Sequence, residues 1–237
     1  MSAKGIVLAP IEARDARALI RRVHYSGKVD TRSQISIGVF WQGSLEGALQ
    51  FGPSIDKRKT IGLVADTPWN GYIELNRMAF TDRLPRNSES RALSVAIRIL
   101  RKHAPHLQWI LSYADATQCG DGTIYRASGF LLTGIKENDS IWRMPDGEVV
   151  AKIIFEPGFQ PNAGANSMKG RYGKTGSESA GRFLTRIGAK PLIGHQIRYI
   201  YPIDPTVPDR LTVPILPYTA IQEAGARMYR GERASEA

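Results

Sequence analysis

Cysteine is almost absent from this chain: Cys119 stands alone among 237 residues. One cysteine excludes an intramolecular disulfide framework and any zinc site that draws on several cysteines, and it suits a cytoplasmic setting. Long apolar runs are missing as well. No stretch approaches the ~18–20 apolar residues of a membrane span, and the N-terminus has no continuous apolar signal core. The chain is therefore read as soluble and unexported, with no membrane partner. Acid is in deficit, with 22 Asp and Glu against 32 Lys and Arg, a formal charge of +10 and a sequence pI near 9.9. That excess favours polyanionic partners through phosphate contacts and counterion release, nucleic acid first among them. Internal repeats and low-complexity tracts are absent too.

What is present is enough for a substantial core, since 42% of the residues are hydrophobic. The patterning predicts one catalytic domain over residues 1–204 and a Pro-rich arm over 205–237. Gly5 to Ala9 is a short apolar run, and Ile11 to Val23 is rich in Ala, Arg and Leu, giving strand then helix, with Gly27 as terminator. Ile35 to Trp41 and Leu45 to Phe51 flank the turn Gln42-Gly43-Ser44 as a hairpin. A long mixed loop from Gly52 to Gly71 carries Lys57-Arg58-Lys59. Tyr72 to Phe80 reads as a strand whose alternation changes phase in its middle, so that polar side chains can face a cleft. Asn87 is the expected N-cap of a helix to about His103. Trp109 to Asp115 is the next strand, a short helix runs through Tyr125 to Gly129, and Phe130 to Gly134 returns as a strand.

Asp146-Gly147 marks a further hairpin between Ile141–Met144 and Val149–Phe155. The glycine-rich loop 156–176, which includes Pro161, carries Lys169, Arg171 and Lys174. Ser177 to Ile187 predicts a helix closed by Gly188, and Ile197 to Ile203 a strand. Prolines 205, 208, 214 and 217 predict an extended arm, then a short helix over Ala220 to Tyr229. The arm suits a homodimer contact or a surface wrap.

This order of elements resembles the GNAT acetyltransferase superfamily over residues 5–155: an α/β (α+β) fold with a central mixed sheet flanked by helices, here followed by a basic C-terminal extension. In that superfamily a strand, loop and helix N-terminus hold the pyrophosphate of acyl-CoA. The matching junction is Arg86-Asn87-Ser88-Glu89-Ser90-Arg91. The resemblance makes Arg86, Asn87, Ser88, Ser90 and Arg91 the cofactor-binding candidates, with Glu89 and Arg91 where the superfamily carries glycines. An ordinary helix start explains Asn87-Ser88-Glu89 equally well. The second hallmark, Tyr-x-x-x-Gly-Phe, stands as Tyr125-Arg126-Ala127-Ser128-Gly129-Phe130.

A more specific resemblance lies in Glu74-Leu75-Asn76-Arg77, Asn87-Ser88-Glu89-Ser90, Ser112-Tyr113-Ala114-Asp115, Gly122-Thr123-Ile124-Tyr125-Arg126-Ala127-Ser128, Arg171-Tyr172-Gly173 and His195 through Tyr201. Over residues 24–203 these motifs resemble the Mom family of phage DNA-modification proteins, which convert adenine in phage DNA to an N6-carbamoylmethyl derivative and so block restriction. The resemblance implies functional roles for Arg77, Asp115, Tyr125 and the His24-Tyr25 pair. Arg77 would clamp a phosphate or carboxylate, or else form a structural ion pair. Asp115 would accept a proton from the exocyclic amine of adenine, or else cap the following turn. Tyr125 would donate a proton or orient the transferred group, or else pack in the core. His24 suits a base, a metal ligand or a helix-end cap; together with Tyr25 and Asp115 it would hold a metal such as iron if the three converge.

An amine paired inside duplex DNA has to be flipped out or met in single strands. Tyr25, Trp41, Trp69 and Tyr72 are stacking candidates, with core or loop packing as their other reading. Lys169, Arg171, Tyr172, Lys174, Arg198, Lys57 and Arg58 are the DNA-backbone candidates, with solvated surface charge as the alternative for each cation. The implied partners are DNA and a small-molecule group donor, acetyl-CoA or another metabolite, in the cytoplasm of a bacterial host. Two other readings stay open: a conventional GNAT N-acetyltransferase acting on a small or protein amine, and a DNA-binding protein without catalysis.

Overall fold

The computed structural model describes residues 2–160, 164–229 and 232–233; Pro161 and the end of the chain from 234 lie outside them. In chain order the elements are β1 (Val7–Pro10), α1 (Ala13–Val23), β2 (Ile35–Trp41), β3 (Ser44–Gly52), α2 (Lys57–Thr60), β4 (Tyr72–Phe80), α3 (Ser88–His103), β5 (Trp109–Asp115), α4 (Thr123–Ala127), β6 (Leu131–Asn138), β7 (Ile141–Arg143), β8 (Val149–Ala151), α5 (Met168–Arg171), α6 (Ala180–Arg186), β9 (Lys190–Pro191), β10 (Gly194–Pro202), α7 (Ala220–Glu223), β11 (Met228–Tyr229) and β12 (Glu232–Arg233). Seven strands join one mixed sheet in the order β1-β2-β3-β4-β5-β10-β6. Among the described strands only β4 and β5 pair in parallel; α3 makes the crossover between them, as a parallel connection requires.

Alternation along the strands sends neighbouring residues to opposite faces. Leu49 joins the core under α3, formed with Leu93, Ala96, Ile97 and Ile110. Its neighbour Ala48 joins a second core under α1, with Ala16, Leu19 and Ile20. The two helices therefore cover opposite faces. The β2–β3 hairpin turns at Gln42 and Gly43, both at positive φ (49° and 80°), the backbone twist that two-residue hairpins favour.

Residues 139–193 form a lobe inserted between β6 and β10. It has its own three-stranded sheet, β8-β7-β9, and its own core of Trp142, Met144, Val150, Phe155, Phe183 and Leu184. After β10 the chain folds back over the body. Val207 is buried on the α1 face with Trp109 and Leu111, Leu216 N–H donates to Leu132 O at 2.8 Å on the β6 edge, and Ile221, Ala226 and Met228 enter the core on the α3 face.

Several local expectations change. Asn87 does not cap α3 with its side chain; it takes the left-handed conformation (φ 67°, ψ 13°), and its carbonyl receives Arg91 N–H. The helix expected over 220–229 stops at Glu223, because Gly225 (φ 62°) breaks it and Met228–Tyr229 pairs with Glu232–Arg233. The strand after α4 continues to Asn138, four residues beyond Gly134, because β10 pairs with it along that length.

Candidate active site

The site begins with an irregularity in β4. Leu75 belongs to the core on the α3 face and Ala79 to the core under α1, although residues four apart in a regular strand share a face. The register against β3 slips between Gln50 and Phe51, which face Arg77 and Leu75, leaving Asn76 as the extra residue of a bulge. Its side chain accepts from Ser33 Oγ (3.2 Å) and donates to Pro53 O (3.3 Å). The bulge turns Arg77 to the α1 face, which Glu74 also occupies.

On β5 the same alternation places Leu111 and Asp115 on that face, with Ile110 and Ala114 behind. β4 and β5 pair only from Tyr72 to Glu74 against Trp109 to Leu111, and separate beyond. Arg77 and Asp115 sit past the point of separation.

Asp115 is held by three donors: Thr117 N–H on Oδ1 at 2.9 Å, and Gln118 Nε2 (3.0 Å) and Tyr25 Oη (3.3 Å) on Oδ2. Tyr25 is half-exposed, 48% accessible, and its ring packs on that of His24 at 4.3 Å. Burial, then the Asp115 carboxylate, push the Tyr25 phenol far above its ordinary value, so it stays a donor. Burial and the Arg77 charge pull His24 down to about 4, leaving a neutral ring near pH 7. Its Nδ1 engages Ser26 through the hydroxyl (2.9 Å) and the amide (3.2 Å).

Arg77 donates through Nε to Lys28 O (3.2 Å) and through Nη1 to Asn76 O (2.7 Å), and Nη2 has no partner among the described residues. Tyr125 is buried against Phe130 and Tyr199, and burial pushes its phenol up to about 12. Arg77 lies within electrostatic range of His24, Tyr25 and Glu74 on its own side of the sheet, and of Tyr125 in the core on the other.

A second cleft, of about 600 Å³, opens at the start of α3 beside α4. Lys4, Arg86, Arg91 and Arg98 line it together with Asn87, Ser90 and Ser128, and no acid does. Ser88 turns inward and donates to Pro85 O at 2.6 Å, so it faces the core and not this cleft.

The expected DNA-backbone residues are spread over three places. Lys169 and Lys174 donate to backbone carbonyls within the lobe: Glu156 and Phe159 for the first, Thr175 and Gly176 for the second. Arg171 and Tyr172 engage Asp146 and Glu148. Arg198 lies on β10 and donates to Thr133 O at 2.6 Å. Lys57 stands over the ring of Trp69 at 4.8 Å, and Arg58 is exposed beside it on α2. Of the stacking candidates, Trp69 is 55% exposed, Tyr72 is buried flat against Trp109 at 4.2 Å, and Trp41 is half-buried over Gly5.

His24, Tyr25 and Asp115 are linked in sequence, the first two by their rings and the last two by the Tyr25 hydroxyl. Among the described residues no three His, Cys, Asp or Glu side chains converge to hold a metal. Residues unforeseen as site members are Glu74, Gln118 and Cys119. Burial raises Glu74, and burial with Asp115 raises the Cys119 thiol. The phase change in β4 was the available signal for Glu74; nothing local marks Gln118.

The chain matches the profile of the Mom protein family over residues 5–220. It belongs to that family. A relative, the methylcarbamoylase Mom of Escherichia phage Mu, is 40% identical over 141 residues, which cover 59% of this chain and 57% of that protein. The match thus spans little more than half of this Mom relative's length. Two solved structures align with TM-scores below 0.5, too loosely to carry a donor or substrate across to this Mom-family chain. The ribosomal-protein-S18-alanine N-acetyltransferase from Escherichia coli aligns at TM-score 0.43 and 13% identity, over 84% of this chain and 94% of that one. A Bacillus subtilis acetyltransferase in complex with CoA aligns at TM-score 0.42 and 11% identity, over 84% and 98%.

Proposed function

We propose that this protein transfers a carbamoylmethyl group to N6 of adenine in DNA, in the cytoplasm of a bacterial host; the name of its phage Mu relative, a methylcarbamoylase, supports the group transferred. The observation that carries the reading is the Tyr25 hydroxyl on the Asp115 carboxylate, on the sheet face to which the bulge also turns Arg77, where β4 and β5 separate. Adenine N6 is a weak nucleophile because its lone pair is delocalised into the ring. It needs a base as the new carbon–nitrogen bond forms. Asp115 Oδ2, held in place by Gln118 and Tyr25, takes that proton directly or through a water. Arg77 Nη2 is free to hold an oxygen of the incoming group. Half-exposed Tyr25 supplies a ring for a flipped base.

The cationic cleft at α3 suits a phosphate-bearing donor of the acyl-CoA kind: Lys4, Arg86, Arg91 and Arg98 would meet its phosphates. When bound, such a donor would have to carry the carbamoylmethyl group through its methylene, so that the methylene–sulfur bond breaks, with sulfur leaving as a thiolate, while the methylene–N6 bond forms and the N6 proton passes to Asp115. An acyl thioester would instead leave an acyl group on N6. A metal such as iron would draw on His24, Tyr25 and Asp115, of which Tyr25 and Asp115 are in direct contact.

The test is mass spectrometry of nucleosides from plasmid DNA after expression of the wild type and Asp115→Asn. The wild type should yield an adenine nucleoside heavier by one carbamoylmethyl group. Asp115→Asn should reduce it about 10²–10⁴-fold, as expected for loss of a general base. Unmodified adenine in the wild-type sample overturns the reading. An acetylated small amine formed from acetyl-CoA would replace it with conventional acetyl transfer.

A further inference from the structure

The lobe of residues 139–193 grows out of the sheet beside Asp115. Its two ends, Asn138 and Gly194, face each other across β6 and β10. Asn138 donates to Thr117 Oγ1 at 3.3 Å, and a Cβ on Gly194 would meet that same atom at 2.3 Å. The neck thus rests on the turn whose amide holds Asp115. At the far hairpin Glu148 acts as a counter-charge on Lys28, the residue whose carbonyl holds Arg77. The lobe thus adjoins Asp115 at its neck and lies within electrostatic range of Lys28 at its hairpin.

Eight Lys and Arg and five Asp and Glu lie in the lobe, and its internal contacts use most of the cations. Lys152 pairs with Asp139 at 3.0 Å, Arg186 with Glu178 at 3.0 Å, and Arg171 with Glu148 and Asp146. Lys169 and Lys174 donate to lobe carbonyls, and Arg182 lies within electrostatic range of Glu178. Arg143 and Lys190 have no acidic partner and no side-chain hydrogen bond among the described residues. They are also directly opposite each other, on β7 and β9. Their side chains leave the sheet on the face away from Trp142, which is buried in the lobe core, and both are exposed. Like charges directly opposite destabilise a strand pair. An anion between them would relieve that cost.

We propose that Arg143 and Lys190 form a two-cation clamp for the phosphate backbone of the DNA whose adenine enters the Arg77–Asp115 cleft. The clamp rests on DNA being the substrate. Its residues differ from those the chain's basic loop suggested, because Lys169 and Lys174 hold the lobe together.

The experiment is binding of a fluorescent duplex oligonucleotide to the full chain between about 50 and 200 mM salt. The variants are Arg143→Gln with Lys190→Gln, and Lys102→Gln at the far end of α3 as control. Loss of two phosphate contacts should lower the slope of log affinity against log salt by about 2 and weaken binding about tenfold or more. The thermal midpoint should stay level or rise, because a repulsion has been removed. The control should bind as the wild type does. Wild-type affinity and slope in the double variant overturn the clamp, and so does a lowered midpoint accompanying lost binding, which would make the pair structural. A wild type that binds no DNA overturns the substrate reading instead, and the clamp falls with it.

Discussion

His24 and Tyr25 share a ring contact of 4.3 Å, yet their protons are held in opposite senses. Burial and the Arg77 charge keep His24 neutral down to about pH 4, while burial keeps Tyr25 protonated well above neutrality. For His24 the unfolded chain binds its proton near the ordinary value of about 6.5 and the folded chain only near 4. Between those values the unfolded state carries more proton, so stability rises with pH. The contribution is complete above about 6.5 and is lost as pH falls towards 4, on the order of 3 kcal/mol in all. Denaturant melts from pH 4 to 7 should show this slope in the wild type and a flatter one in His24→Asn. Equal slopes would mean that the ring is more solvated than its surroundings indicate. The residue types at 24, 25, 77, 115 and 125 were legible in the chain. Gln118 was not, since a glutamine three residues from an aspartate has no meaning until a turn brings its amide to Oδ2.

At the scale of elements, the bulge at Asn76 decides the site. A phase change between Glu74 and Arg77 could be read from the alternation, and the strand was expected to be irregular there. Which face each side chain reached depended on which strand paired with it. Two glycines serve these elements through space. A Cβ on Gly52 would meet Asn76 Oδ1 at 2.7 Å, and one on Gly122 would meet the Tyr199 ring at 2.5 Å with φ already at +83°. Tyr199 cannot withdraw cheaply, because it is fully buried and its hydroxyl donates to Asp121 O at 2.6 Å. Gly122→Ala should therefore cost about 2–4 kcal/mol, combining left-handed strain with overpacking. Gly52→Ala should cost about 1–3 kcal/mol and loosen the bulge, lowering modification activity more than its stability loss explains. Urea titrations paired with nucleoside analysis separate the two effects.

For the whole molecule, residues after Asp204 and the lobe do different work. Val207, Ile221, Ala226 and Met228 are buried in the body's cores. Fully burying a large apolar side chain stabilises by roughly 1.5–3 kcal/mol, against a net stability of about 5–15 kcal/mol for a typical domain. A chain ending at Asp204 should lose its cooperative thermal transition and bind a hydrophobic dye. A sharp melt near the full-length midpoint would mean that the body core closes without this segment. Proline spacing predicted an extended path but could not say what that path would cover, since the partners Leu132 and Phe130 lie more than 80 residues upstream.

Local chemistry determined the seven main strands, the two long helices, the β2–β3 turn and the basic excess, because periodicity, turn residues and charge act over a few residues. Tertiary structure decided the rest. It set which of the basic residues are spent on internal carbonyls and acids, and it turned Ser88 inward. It also left Arg143 facing Lys190, and brought Arg77 and Asp115 to one face. Each of these depends on which distant segment fills the space around a side chain, a quantity that no window of neighbouring residues contains.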